Sequence, residues 1–202
     1  VYRICAGKKR FLRKIPLCSA LSNAENCDRL INTERMCIIM ELTFQQVTDT
    51  EIETLAALAD EIWHEFFPGI ISDAQVDYMV EKFQSAPAMR QQIAEGYRYY
   101  LVYAGAELIG YTGVHPEEEL LFLSKLYLKK QHRGHGYGRK MIEFVAGLAR
   151  ELGKSGVYLT VNRYNENTIA VYHATGFETV RTQVADIGNG YVMDDYVMQL
   201  AV

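Results

Sequence analysis

Residues 126–139 read Leu-Tyr-Leu-Lys-Lys-Gln-His-Arg-Gly-His-Gly-Tyr-Gly-Arg, and they constrain this chain more than any other segment. An apolar run ends, and Gly134, Gly136 and Gly138 alternate with larger residues. A helical pattern then begins, with Met141, Ile142, Val145, Leu148, Ala149 and Leu152 at helical spacing. Glycine lets the backbone take positive φ and pass close to a ligand. Successive free N–H groups at a helix start form an anion cradle, reinforced by the helix dipole. Arg133, Arg139 and Lys140 add positive charge around it. The pattern predicts a strand–loop–helix unit that holds a pyrophosphate. It is not the dinucleotide fingerprint G-x-G-x-x-G, because Arg139 stands where the third glycine belongs. It is not a P-loop either, since no Gly-Lys-Ser/Thr follows.

The elements around this unit are legible from periodicity. Residues 42–47 alternate like a strand, and residues 51–67 form an amphipathic helix with Ile52, Leu55, Leu58, Ile62 and Phe66 on one face. Pro68 and Gly69 end it. A second helix starts after Ser72, its N-cap, and runs through Val76, Val80 and Phe83; a short polar helix at 88–95 follows. Three strands come in succession at 97–104, 108–115 and 120–128. After the loop and its helix, which stops at Gly153, come a β-branched strand at 157–161, a helix at 166–175 closed by Gly176, and two strands near 177–184 and 191–200.

The loop contains Arg133-x-x-Gly136-x-Gly138, which matches the pattern [QR]-x-x-G-x-[GA]. One strand later comes Asn165-Glu-Asn-Thr168-Ile-Ala-Val-Tyr172-His-Ala-Thr-Gly176-Phe177, similar to N-x-x-A-x-x-x-Y-x-x-x-G-F with Thr168 at the usual alanine. On these two segments, in this order, the chain resembles the GCN5-related N-acetyltransferase (GNAT) family over essentially residues 41–200. The resemblance implies an α/β (α+β) fold: a mixed central sheet of about six to seven strands, about four flanking helices, and a cofactor cleft where the fourth and fifth strands splay apart. It implies acetyl-CoA as co-substrate and direct acetyl transfer to an amine with both substrates bound together.

Carried onto this sequence, the resemblance assigns the pyrophosphate to Arg133, Gly134, His135, Gly136, Tyr137, Gly138 and Arg139. It assigns the pantetheine arm to the main chain of Leu126, Tyr127 and Leu128 and to Asn165, and proton donation to the leaving thiolate to Tyr172. Asn165 also suits an N-cap, and Tyr172 also suits a packed helix face. A thiol pKa of ~8.5 and a tyrosine pKa of ~10 make that proton transfer reasonable. The general base is open: the fourth strand, Leu-Leu-Phe-Leu-Ser-Lys, has no central glutamate, which leaves Glu119, Ser124, Glu65 and His64. Trp63, Phe66, Phe67, Tyr78 and Met79 are candidate walls of the acceptor pocket, although packing on the sheet explains the same residues. The aromatic run with an acidic background suggests a cationic small-molecule amine, such as a polyamine. The other functions weighed are an acyl-CoA-binding sensor that has lost its chemistry, and acetylation of a protein N-terminus or lysine. A homodimer is expected by family analogy.

Composition bears on what lies outside this domain. At 202 residues, 49% hydrophobic and 23% charged, the chain can bury a core without disulfides or metal. A net charge of -4 argues against a nucleic-acid binder, which needs a basic face. No apolar run reaches the ~18 residues of a membrane span. Residues 1–39 differ: they hold all four cysteines (Cys5, Cys18, Cys27, Cys37) and eight basic residues against three acidic ones. They read as an extension ahead of a domain at 40–202, where Met40 opens the first strand; a basic targeting peptide is the other reading. The cysteine spacings contain no close C-x-x-C pair, so no metal site is expected. A cysteine-free domain fits a reducing cytoplasm.

Overall fold

The computed structural model describes residues 41–202; the extension at 1–39 and its cysteines lie outside the described residues. Strand β1 (Leu42–Gln46) leads through an exposed turn, where the Glu51 carboxylate accepts from the Thr48 amide and hydroxyl at 2.8 and 2.6 Å, into helix α1 (Ile52–Phe66). The apolar stripe of α1 is buried as its periodicity predicts, with one change of membership. Trp63 joins Ile52, Leu55, Leu58 and Ile62 inside, whereas Phe66 is only partly buried.

Helix α2 (Asp73–Met79) begins where Ser72 accepts a hydrogen bond from the Gln75 amide at 3.2 Å. The expected single helix to residue 83 instead widens into a π turn, Val80–Gln84. Such a turn shifts the side-chain register. Here it accompanies a buried Gln84 whose Oε1 accepts from the Tyr111 hydroxyl at 3.2 Å. Ser85 then caps helix α3 (Ala86–Ala94), which carries a proline in its first turn. The described residues contain five α-helices, against about four expected, within the expected α/β fold.

Strands β2 (Arg98–Ala104), β3 (Glu107–Pro116) and β4 (Leu120–Leu128) form an antiparallel meander, and the glycine loop leads into helix α4 (Tyr137–Glu151). Strand β5 (Gly156–Asn162), helix α5 (Glu166–Ala174) and the hairpin of β6 (Glu178–Gly188) and β7 (Tyr191–Ala201) complete the domain. The seven strands make one mixed sheet in the order β1-β2-β3-β4-β5-β7-β6. Helices α1 and α3 cover one face, packing Leu55, Ile62 and Met89 on Tyr99, Leu101 and Tyr111. The other face receives Ile142, Val145 and Ala149 of α4 and Tyr172 of α5, against Leu121, Leu123 and Leu159.

Among the described strands, only β4 and β5 pair in parallel, and the pairing is short. Leu120, Leu121 and Phe122 pair with Gly156, Val157 and Tyr158, and no pairing follows. Beyond that point β5 stays paired with β7 as far as Asn162–Asp195, and β4 stays paired with β3 as far as Leu128–Gly110. The sheet therefore splits into a V whose arms are each held by an outer neighbour, which is the expected splay. No helix among the described residues is long and apolar enough to cross a membrane.

Candidate active site

The split exposes backbone groups of β4 that a fifth strand would otherwise pair, and a bulge adds another. Opposite Gly113 and Val114, the partners jump from Lys125 to Leu123, so Ser124 is the extra residue of β4. The bulge is pinned by Thr112, fully buried, whose hydroxyl donates to the Lys125 carbonyl at 2.7 Å. At the wide end of the V, Gly134 and Gly136 have φ of 78° and 79°, and a Cβ on either would meet nothing within 4 Å. Gly136 is the N-cap of α4, with no side chain satisfying the first amides. Uncapped N–H groups facing open space, with Arg133 and Arg139 beside them, fit a pyrophosphate by their donor chemistry.

A cavity of about 840 Å³ joins these features. Its lining includes Leu126, Tyr127, Leu128, Arg133, Gly134, Gly136, Gly138, Arg139, Asn165 and Tyr172. His135 and Tyr137 are outside that lining; His135 is exposed, and its ring lies 6.2 Å from that of Tyr137. Arg133 already has structural partners. Its Nε donates to the Leu128 carbonyl at 2.9 Å, its guanidinium lies 4.7 Å from the Phe66 ring centroid, and Nη2 is 3.4 Å from Glu65. Arg139 donates from Nη2 to the Ala174 carbonyl at 3.2 Å, linking α4 to the end of α5.

Asn165 occupies the N-cap position of α5, but its side chain makes no capping hydrogen bond and lines the cavity instead. Tyr172 is 8% exposed, the one buried side chain of α5, with its ring 5.4 Å from that of Phe177. Burial raises the pKa of its hydroxyl above that of a free tyrosine.

Of the four candidates for general base, only Ser124 lines the cavity. Glu119 is exposed in the turn before β4. His64 lies on the outer face of α1 with Nε2 2.9 Å from Asp77, a contact that raises its pKa. Glu65 contacts the loop, accepting from the Lys130 amide at 3.3 Å. Trp63, Phe66, Phe67 and Met79 wall the cavity, whereas Tyr78 does not; its hydroxyl donates to the Ile187 carbonyl at 2.7 Å and braces α2 on β6.

Two charged residues in the cavity were not singled out from sequence. Asp195 on β7 is 5% exposed, and its Oδ1 is buried with no hydrogen-bond partner among the described residues. Desolvation, aided by the neighbouring Asp194 charge, pushes its pKa up to about 6. Lys125 on β4 donates from Nζ to the Ser124 hydroxyl at 2.8 Å, and burial pushes its ammonium down to about 8. Lys125 had a signal in the sequence, a lysine inside Leu-Leu-Phe-Leu-Ser-Lys-Leu-Tyr-Leu, whereas nothing in the sequence separates Asp195 from the adjacent Asp194.

Comparison with known proteins bears on the family and the fold. Residues 55–177 match the family model described as the Acetyltransferase (GNAT) family. The chain is 36% identical over 74 residues to the D-amino-acid N-acetyltransferase HPA3 of Saccharomyces cerevisiae, covering 37% of this chain and 45% of that protein. It is 30% identical over 89 residues to the uncharacterized N-acetyltransferase YjgM of Escherichia coli, covering 42% and 53%. The chain thus spans about half the length of these two curated relatives. Among solved structures, the PaiA N-acetyltransferase of Thermoplasma acidophilum in complex with coenzyme A superposes with a TM-score of 0.66 at 20% identity, covering 81% of this chain and all of that one.

Proposed function

Since this chain belongs to the Acetyltransferase (GNAT) family, we propose that it moves an acetyl group from acetyl-CoA to the primary amine of a small molecule, with both substrates bound together. The observation that carries this reading is the single cavity that takes in the glycine loop, the split between β4 and β5, Tyr172 and the aromatic wall of α1. When bound, acetyl-CoA supplies an acetyl group activated as a thioester. The amides of residues 134–138 and the start of α4 hold its pyrophosphate, while Leu126, Tyr127 and Leu128 offer the main-chain edge that β5 leaves free. In this reading a main-chain N–H near the β4 bulge at Ser124 would donate to the acetyl oxygen as charge develops on it. Tyr172 gives its proton to the departing sulfur and regains one from the acceptor nitrogen, so one proton leaves the site for each amide formed. Asp195, a carboxylate in the same cavity, supports a cationic acceptor over a neutral one.

The test is free-thiol release from acetyl-CoA by the full chain, with polyamines, aminoglycosides, amino acids and short peptides as acceptors. Release with one small-molecule class is expected. Release with peptides alone would redirect the reading to protein acetylation. Silence across the panel, with acetyl-CoA still bound in calorimetry, would favour an acyl-CoA sensor.

A further inference from the structure

An alkyl ammonium must lose a proton before its nitrogen can attack a thioester, and the groups read from the sequence leave that proton without a taker. Glu119, Glu65 and His64 are outside the cavity, and the Ser124 hydroxyl on its wall is a poor base near neutral pH. Asp195 does line the cavity, as the one carboxylate there among the described residues. The residue is 5% exposed, its Oδ1 is buried, and the side chain makes no hydrogen bond or ion pair among those residues. A buried carboxylate without a partner is costly, and a cleft that keeps one commonly does so for chemistry or a ligand.

Strand register sets Asp195 at the level of the cofactor edge. Phe122 with Tyr158 is the last rung between β4 and β5. Counted onward from that rung, with Ser124 as the extra residue of β4, Tyr127 comes level with Asn162 across the split, and Asn162 pairs with Asp195. Electrostatics agree: Tyr172 and Asp195 both raise the pKa of the Tyr127 hydroxyl, so donor and carboxylate are within reach of one group. Asp195 shares a strand face with Met193, which packs, as Tyr127 does, on the cluster of Trp63, Phe67 and Met79. No cation offsets the Asp195 charge. Asp194 points to the other face, where Arg163 Nη2 holds it at 2.9 Å. The register partners on β5 and β6, Asn162 and Gln183, are uncharged, and α1 and α2 bring no charged side chain to the cavity. Desolvation and Asp194 act on the titration of Asp195; Arg163 and Lys125 do not.

We propose that Asp195 is the general base of the transfer, receiving the acceptor's ammonium group and taking the proton its nitrogen loses before attack. This inference rests on the acetyltransferase reading and supplies the base that reading lacks. Burial against the apolar wall lowers the pKa of the ammonium, and the same desolvation pushes Asp195 up to about 6, so the two approach each other. An N–H bond of the ammonium breaks as an O–H bond forms on Asp195. The freed lone pair makes the C–N bond, and the C–S bond breaks. Tyr172 protonates the sulfur and is reprotonated from the nitrogen. Asp195 passes its proton to water, which accounts for the one proton released with each amide.

The test follows thiol release by the full chain between pH 5 and pH 9 with two amines of one shape, phenethylamine with a pKa near ~10.4 and phenylalaninamide with an α-amine near ~8. With phenethylamine, kcat/KM of the parent is expected to rise through about 6 as Asp195 ionises, then level off far below the amine's own pKa. Asp195→Asn should lower kcat on the order of 100-fold at pH 7. Its profile should climb about tenfold per pH unit to the top of the range, because only amine already neutral in solution reacts. With phenylalaninamide at pH 9, which is mostly neutral, the variant should come within about threefold of the parent. If only another amine of the acceptor panel turns over, its profile takes the place of phenethylamine's. A carboxylate that merely anchors the ammonium would raise KM and leave kcat and its profile unchanged. That result, or equal losses with both amines in a folded variant, overturns the base and leaves the acetyltransferase standing. Thiol release with no amine at all overturns the transfer reading and the base together.

Discussion

Tyr172 opens onto the cavity that spans the β4–β5 split, where a proton donor to a thiolate would have to stand; its hydroxyl carries a proton at neutral pH as any tyrosine does, and burial, by raising its pKa, makes it a weaker acid than a free tyrosine. Replacing it with Phe removes one oxygen and little else. The expected result is a fall in kcat on the order of 100-fold with unchanged acetyl-CoA affinity, read by steady-state kinetics beside calorimetry. Asp195 gives a prediction independent of activity. Its pKa in the fold, about 6, exceeds the ordinary 3.8, so the folded chain binds more protons than the unfolded chain between those values. Stability from this group is therefore greatest in acid, declines as pH rises through that window, and carries its full penalty above it, at most roughly 3 kcal/mol. Asp195→Asn should melt several degrees above the parent at pH 8, with the gap closing towards pH 4. In calorimetric melts, a constant gap across that range would remove the orphan carboxylate from the account. A motif singled out Tyr172 in the sequence, but Asp195 needed the fold: of the two adjacent acids Asp194 and Asp195, the sequence does not say which faces a cavity.

At the scale of elements, the loop and α4 were legible because their chemistry is local. Three alternating glycines before an amphipathic helix permit few backbone paths, and two of those glycines do take positive φ. Gly136→Glu tests the unit as a whole. No neighbour obstructs a side chain there, and the positive φ imposes a strain of about 1–3 kcal/mol. The variant should still fold yet lose acetyl-CoA binding by calorimetry, through a side chain and a negative charge set where a pyrophosphate must lie. Normal affinity in a folded variant would undo the loop assignment. The second helix was less legible. Residues 72–83 keep a helical apolar pattern throughout, so periodicity ran past the π turn at Val80–Gln84. The exposure of His64 and the occupation of Glu65 by the loop likewise depend on what α1 packs against, which its own sequence does not state.

At the scale of the domain at residues 41–202, the proposed function has acetyl-CoA bound in a gap in the sheet itself. Filling that gap stabilises the folded state alone. Acetyl-CoA at about 100 times its Kd should raise stability by about 2.7 kcal/mol and shift the melting temperature upward by roughly 5–10 °C. Phosphate at equal concentration should do far less; a shift as large from phosphate would mean that the split strands contribute nothing to binding. The order of elements, the sheet composition and the strand–loop–helix unit were settled by sequence alone, because apolar period and glycine placement act over a few residues. The length over which β4 and β5 pair, the extra residue at Ser124, and the meeting of Lys125 with Asp195 in one cavity were decided only by tertiary structure. These last two residues stand 70 positions apart in the chain. What joins them is the way each strand is held by its outer neighbour, a non-local balance of pairing and packing that no window of sequence contains.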